Sequence, residues 1–290
     1  MAGGYDTLSV EVLIGDLGIK KLPNLPGING IIGSSMVQHN GTILMCGGTR
    51  FSETCVQLDR GTWKNHSNGR KERYFQSAVS TNTGTFIFGG LNSPRTYEYL
   101  PSNSTTWLLG KTNIPGQGFH DGCAISVKFG QEIWLIGGLT LGKRILSFNV
   151  NDHTFRELPC KLKVTRQQNR CAFIPNTNKI MITGGYGFDG YDSACEYQNS
   201  SEVLDIENES VSLASPMESK RADHGMGVVT INGDNRLAVF GGYDGKIKLD
   251  SIELYNTQSK KWEMADIKLK EPHDCFGFLS VKLSDIISEF

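Results

Sequence analysis

Apolar residues in this chain come in runs of three to five and stop abruptly. ILMC, FIF, WLI, MIT and LAVF each run to, or almost to, two adjacent glycines: Gly47 and Gly48, Gly89 and Gly90, Gly137 and Gly138, Gly184 and Gly185, and Gly241 and Gly242. A shorter apolar stretch and a polar turn precede each run, as with GMGVVTI, the turn NGD and then RLAVF. Short runs, alternation and an absence of helical period predict strands joined by hairpins. After each glycine pair a polar loop leads to a third segment, such as the alternating SIELYN. A fourth segment then carries a large apolar residue: Trp63, Trp107, Phe155, Val211 or Trp262. In three units that residue follows another apolar position by seven: Phe148 before Phe155, Leu204 before Val211, Tyr255 before Trp262. Four short strands make one antiparallel sheet. The unit recurs every 42–57 residues, which is the spacing of a repeat architecture.

The glycine pairs have a physical reading. If the sheets pack face to face around an axis, neighbours approach closely where the second strand ends. A residue without Cβ permits that approach and a backbone conformation that others resist. The late large residue then fills the seam between sheets. This pattern resembles the kelch repeat family, on the five glycine pairs and on Tyr255 with Trp262 and its counterparts, over essentially the whole chain. The resemblance implies an all-β fold, a β-propeller of four-stranded antiparallel blades.

Six blades are expected in a single domain, 1–290, with divisions near 31–68, 69–115, 116–162, 163–217 and 218–268. The sixth joins 269–290 to 1–30. CFGFLSVKLSDII would supply its first two strands and GGYDTLSVEVLIGDLGIKKLPNLPG its last two. Gly3-Gly4-Tyr5-Asp6 echoes Gly241-Gly242-Tyr243-Asp244.

Charge narrows the function little. The net charge is −1, so no general pull toward nucleic acid or acidic membrane is expected. No run of about 18 apolar residues marks a membrane span, and a monomer is expected. MAGGYDTLSV lacks a basic and apolar leader, which favours a cytoplasmic location, or an extracellular one if the chain is a trimmed mature domain. Seven cysteines without a C-x-x-C pair read as small buried hydrophobes in a reducing compartment. Against this, N-x-S/T tripeptides occur at Asn40, Asn65, Asn103, Asn199 and Asn208, a weak sign of secretion.

Loops held on a rigid scaffold carry function. On one face fall the loops after each glycine pair and the segments entering each first strand. They hold Arg50, Arg73, Arg95, His120, Arg144, Arg166, Arg170, Arg221, His224 and His273, with Tyr186, Tyr191 and Tyr243. The kelch resemblance implies that entry arginines and polar loop residues line a ligand face. A guanidinium fork suits carboxylates, although each arginine could equally hold backbone carbonyls at a blade junction. The expected function is a protein-interaction module for a polar or acidic peptide, with no cofactor and no metal. The alternative is a carbohydrate-active propeller, resembling the sialic-acid mutarotases, with a small polar pocket in the central channel. No nucleophile elbow, phosphate loop or H-x-x-x-H is present. His120-Asp121 and His273-Asp274 enter different blades and read as surface turns.

Overall fold

The computed structural model describes residues 1–4, 7–13, 18–26, 31–49, 53–187 and 196–281. Five regular four-stranded antiparallel sheets follow one another along the chain, each with its strands in sequence order. Blade one holds Ser35–His39, Thr42–Cys46, Cys55–Asp59 and Thr62–Asn65; blade two holds Ser77–Thr81, Gly84–Phe88, Tyr97–Pro101 and Leu108–Leu109. Blade three holds Cys123–Val127, Glu132–Ile136, Ile145–Asn149 and Phe155–Glu157; blade four holds Arg170–Phe173, Lys179–Thr183, Ser201–Asp205 and Ser210–Ala214. Blade five holds Gly225–Ile231, Asp234–Phe240, Ser251–Asn256 and Lys261–Lys268.

The terminal segments depart from the expected four full strands. Val10–Leu13 pairs with Ile19–Leu22 as a two-stranded sheet. Ala2 then makes single bridges to Val10 on one side and Gly277 on the other. The order Gly277, Ala2, Val10, Leu22 is blade-like, but the ladders are not. Gly3 at φ +72° and Gly4 at φ +139° turn the backbone straight after Ala2, which leaves one residue to pair. Residues 282–290, expected to extend this sector, lie outside the described residues.

The core lies in the seams rather than inside single sheets. Val37 and Leu44 of blade one meet Ile87, Leu100 and Trp107 of blade two. Phe86 and Phe88 meet Phe148 and Phe155. Trp134 and Ile136 meet Ile180, Ile182, Leu204 and Val211. Met181 and Met217 meet Leu237, Tyr255 and Trp262. The terminal segments join in on both sides: Phe240 and Ile252 pack with Met1, Leu13 and Phe276, while Val10 and Leu22 pack with Met45 and Trp63. Trp63 is half-buried, and its indole N–H donates to Pro23 O at 3.2 Å. The apolar seams therefore run round a closed ring.

The glycine pairs lie at those seams. The first of each pair has φ between +56° and +67°, the second between +87° and +98°. A Cβ on Gly89 would stand 1.7 Å from Phe119 O. The second glycine donates its N–H across the seam to the entry of the next blade. Gly48 reaches Arg73 O, Gly90 Phe119 O, Gly138 Arg166 O, Gly185 Arg221 O and Gly242 His273 O, at 2.7–3.1 Å. Gly4 makes the same bond to Ile31 O at 3.1 Å.

The cysteines differ from the expectation of unpaired hydrophobes. Cys46 and Cys55 face each other across the second and third strands of blade one and form a disulfide. Cys123 and Cys171 join the first strands of blades three and four in a second disulfide. Burial alone cannot distinguish a thiol from a disulfide; the pairings depend on a strand register and a seam that the sequence does not print. Cys160 and Cys275 are unpaired. Among the described residues no helix is long and apolar enough to cross a membrane.

Candidate functional site

Several of the blade-entry residues expected as ligand contacts turn inward. Arg73 is 3% exposed; its Nη2 lies 2.6 Å from Glu98 Oε1, and its Nη1 donates to Gly89 O. Arg166 pairs with Glu202 at 2.9 Å and donates to Gly184 O. Arg221 pairs with Glu253 at 2.9 Å and donates to Gly241 O. Burial pushes the Arg73 and Arg221 guanidiniums down, and their glutamates hold them up. Each glutamate also accepts backbone N–H groups from the segment before the arginine: Arg70 onto Glu98, Lys163 and Val164 onto Glu202, Glu218 and Ser219 onto Glu253. A buried charge survives only when paired and hydrogen-bonded in this way. These arginines anchor their own glycine turns and are not presented to a ligand.

His273 occupies the arginine place in the terminal sector. Its Nδ1 lies 3.2 Å from Gly3 O and its Nε2 3.4 Å from Glu11 Oε1, while Glu11 accepts N–H bonds from Lys270 and Glu271. The two remaining entries are apolar on both sides. Phe119 stands where the arginine would be, and Leu146 where the glutamate would be; Ile31 and Val56 repeat the exchange. His224 is also buried, with Nε2 2.8 Å from Thr183 Oγ1, and burial holds it well below the usual imidazole range.

Two residues beyond each entry the chain reaches the ring axis. Gly33, Phe75, Asp121, Gln168, Asp223 and Cys275 all have φ between +51° and +69°. They are linked head to tail: Phe75 N–H donates to Gly33 O, Asp121 to Phe75 O, Gln168 to Asp121 O, Asp223 to Gln168 O, and Gly33 to Cys275 O. This belt of backbone bonds rims an axial cavity of about 150 Å³, whose lining includes Ser34, Gln76, Asp121, Arg170, Asp223 and Cys275. The Cys123–Cys171 disulfide faces the same space.

The chemistry of that mouth is acidic and tightly held. Asp223 lies 3.5 Å from Arg170 Nη2 and accepts the Cys275 thiol at 3.0 Å. Burial pushes the Asp223 carboxyl up to about 7; Asp121 and Asp274 add to this, and Arg170 and the thiol bond oppose it. Burial and Asp223 together push the Cys275 thiol up, so it stays protonated. His120 Nδ1 lies 2.8 Å from Asp121 Oδ2. Among the described residues Asp121 Oδ1, Gln76 Oε1 and Ser34 Oγ make no hydrogen bond, and no group of three or more His, Cys, Asp or Glu could hold a metal.

On the same face, Tyr186 stacks on Tyr197 with ring centroids 5.3 Å apart, and Tyr197 meets Tyr243 edge-on at 5.4 Å. Bridges from Tyr186 to Gln167 and from Tyr243 to Ala222 fix two of these rings beside the axial belt. Arg170 is one-quarter exposed, Arg144 reaches Glu157 at 2.9 Å, and Arg95 is exposed. Arg50 and Tyr191 lie outside the described residues. Asp121, Gln168, Asp223 and Cys275 were missed as a set. Their common offset from the glycine pairs is the signal that could have found them.

A sequence model of the kelch motif matches residues 224–265, most of blade five. No curated protein sequence matches the chain. Among solved structures, the protein YjhT superposes with a TM-score of 0.70 over 91% of this chain and 96% of that one, at 13% identity. That likeness is one of fold. The motif matched in blade five, the glycine pairs that recur in the other regular blades and the closed ring give a β-propeller of the kelch-repeat kind.

Proposed function

We propose that the chain is a six-sector propeller that binds a polar peptide segment on the face carrying the glycine-pair loops. The terminal sector counts as the sixth, since it repeats the glycine bond, the buried glutamate and the blade order. The observation that carries the binding reading is the tyrosine trio Tyr186, Tyr197 and Tyr243, in mutual ring contact and bridged by backbone to Gln167 and Ala222, the neighbours of the axial belt. Tyrosine supplies large, stiff contact area at small entropic cost and is enriched where proteins bind. With Arg73, Arg166 and Arg221 buried in their ion pairs, any carboxylate on the ligand would fall to the solvent-accessible Arg95, or to Arg144 and Arg170 in competition with Glu157 and Asp223.

Display of a random peptide library on the immobilised protein tests this. Peptides enriched by the wild type should bind a Tyr186→Ala/Tyr243→Ala variant at least tenfold more weakly. A Leu213→Ala change in the outermost strand of blade four should leave binding unchanged. Equal binding by the tyrosine variant would remove the assigned site.

The second reading, a sugar-binding or sugar-converting propeller, draws support from the polar axial cavity. Asp121, Arg170 and Asp223 converge on it, and a few convergent polar groups are what orient a small ligand. A thermal shift with one member of a monosaccharide panel, lost in Asp223→Asn, would favour it over the peptide.

A further inference from the structure

The exposed turns carry a chemistry independent of the loop face. Five N-x-S/T tripeptides are present, and the structure separates them. Asn40 donates its side-chain amide to Ser102 O, Asn199 donates to Met217 O at 3.0 Å, and Asn208 donates to Asp205 Oδ1 at 3.2 Å. Asn65 and Asn103 are exposed, and among the described residues their side-chain amides make no hydrogen bond. An attached sugar takes one amide hydrogen and needs open space, so these two positions suit it best.

Asn103 lies in the turn between Tyr97–Pro101 and Leu108–Leu109. The turn is closed by the Ser104 N–H on Pro101 O at 2.9 Å. Turns between third and fourth strands lie on the propeller face opposite the glycine-pair loops. Asn65 ends the outermost strand of blade one.

The disulfides are the second observation. Cys46–Cys55 and Cys123–Cys171 form and persist in oxidising compartments, and Asn-linked sugars belong to secreted proteins. We propose that Asn103 carries an N-linked glycan, which covers the face away from the loops, and that Asn65, opposite Val56 at the loop end of the outermost strand of blade one, carries a second on the outer rim. The donor is an oligosaccharide on a lipid diphosphate. Asn103 Nδ2 bonds to its C1, the C1–O bond breaks, the diphosphate leaves with the electron pair, and one amide proton passes to the transferase.

Protein isolated from the cells that make it, with thiols trapped before lysis, is treated with peptide-N-glycosidase in heavy-oxygen water and mapped by mass spectrometry. Asn103 and Asn65 should convert to labelled aspartate, and Cys46 and Cys55 should be recovered joined. In cultured eukaryotic cells that secrete the chain, Thr105→Ala and Asn103→Gln should each speed gel migration by one glycan. An unlabelled Asn103 overturns the proposal, whichever other asparagine is modified, and so do free Cys46 and Cys55 thiols.

Discussion

At the scale of single residues, the entry positions follow one rule: charge faces charge, or carbon faces carbon. Arg221 and Glu253 are each 0% exposed. Removing one partner strands the other without water, which costs about 3–5 kcal/mol. Replacing both with apolar groups of similar volume is often neutral, and Phe119 with Leu146 shows the apolar solution on this same scaffold. Arg221→Met alone should therefore lower the urea-unfolding free energy by about 3–5 kcal/mol, and Arg221→Met/Glu253→Leu should recover most of it. A double variant no better than the single would refute this account. Asp223 gives a pH dependence. Its carboxyl titrates near 3.9 when unfolded and at about 7 in the folded ring. Between those values the folded chain holds a proton that the unfolded chain lacks. The stabilisation is fully present below the lower value and is lost as pH rises through the upper one, at most about 4 kcal/mol. The Tm of the wild type should fall between pH 5 and pH 8 more than that of Asp223→Asn. Asparagine tolerates the φ of +51° there. Residue types were legible in the sequence; their directions were not. An arginine in KRADH looks the same whether it faces solvent or a glutamate thirty-two positions away.

At the scale of elements, the glycine pair works as a fixed corner between the second and third strands of each blade: two left-handed residues turn the chain, and the second donates across the seam to the next blade. Gly89→Ala must place a methyl within 1.7 Å of a backbone oxygen as well as strain φ at +61°, so a loss of at least about 3 kcal/mol is expected. Gly41→Ala meets nothing within 4 Å at φ +80° and should cost about 1 kcal/mol. Paired denaturation curves decide whether contact or backbone preference dominates. The disulfides act on the same scale. Cys123–Cys171 closes a loop of 48 residues and Cys46–Cys55 one of 9. By loop entropy the first is worth about 4 kcal/mol and the second about 2.5. Strands, turns and seam-filling aromatics could be read from sequence because hydrophobic period and turn chemistry are local. The axial belt could not, since its six members share only a position relative to a distant glycine pair, and their side chains run from Gly33 to Phe75.

At the scale of the whole molecule, a wheel of sheets has no edge only if its first and last segments meet. Here the closure is thin in hydrogen bonds and broad in packing. Ala2 makes two isolated bridges, Gly4 bonds Ile31 O, and His273 reaches both Gly3 O and Glu11. Around these, Met1 and Phe276 pack with Phe240, and Ala2 and Val10 pack with Ile31 and Met45. Deleting residues 1–4 removes the bridges, the terminal glycine pair and the His273 acceptor together. It opens two seams at once and leaves the buried Glu11 with a less complete set of partners. Losses of this kind sum to several kcal/mol, and for a chain of this size that lowers Tm by about 5 °C or more. Hydrogen exchange locates the damage: the Gly277 and Glu11 amides, which bond Ala2 O and Met1 O, should lose protection, while Leu135 in blade three keeps it. A truncated chain that melts within about 2 °C of the intact one would mean that the five regular blades hold the ring without the terminal sector.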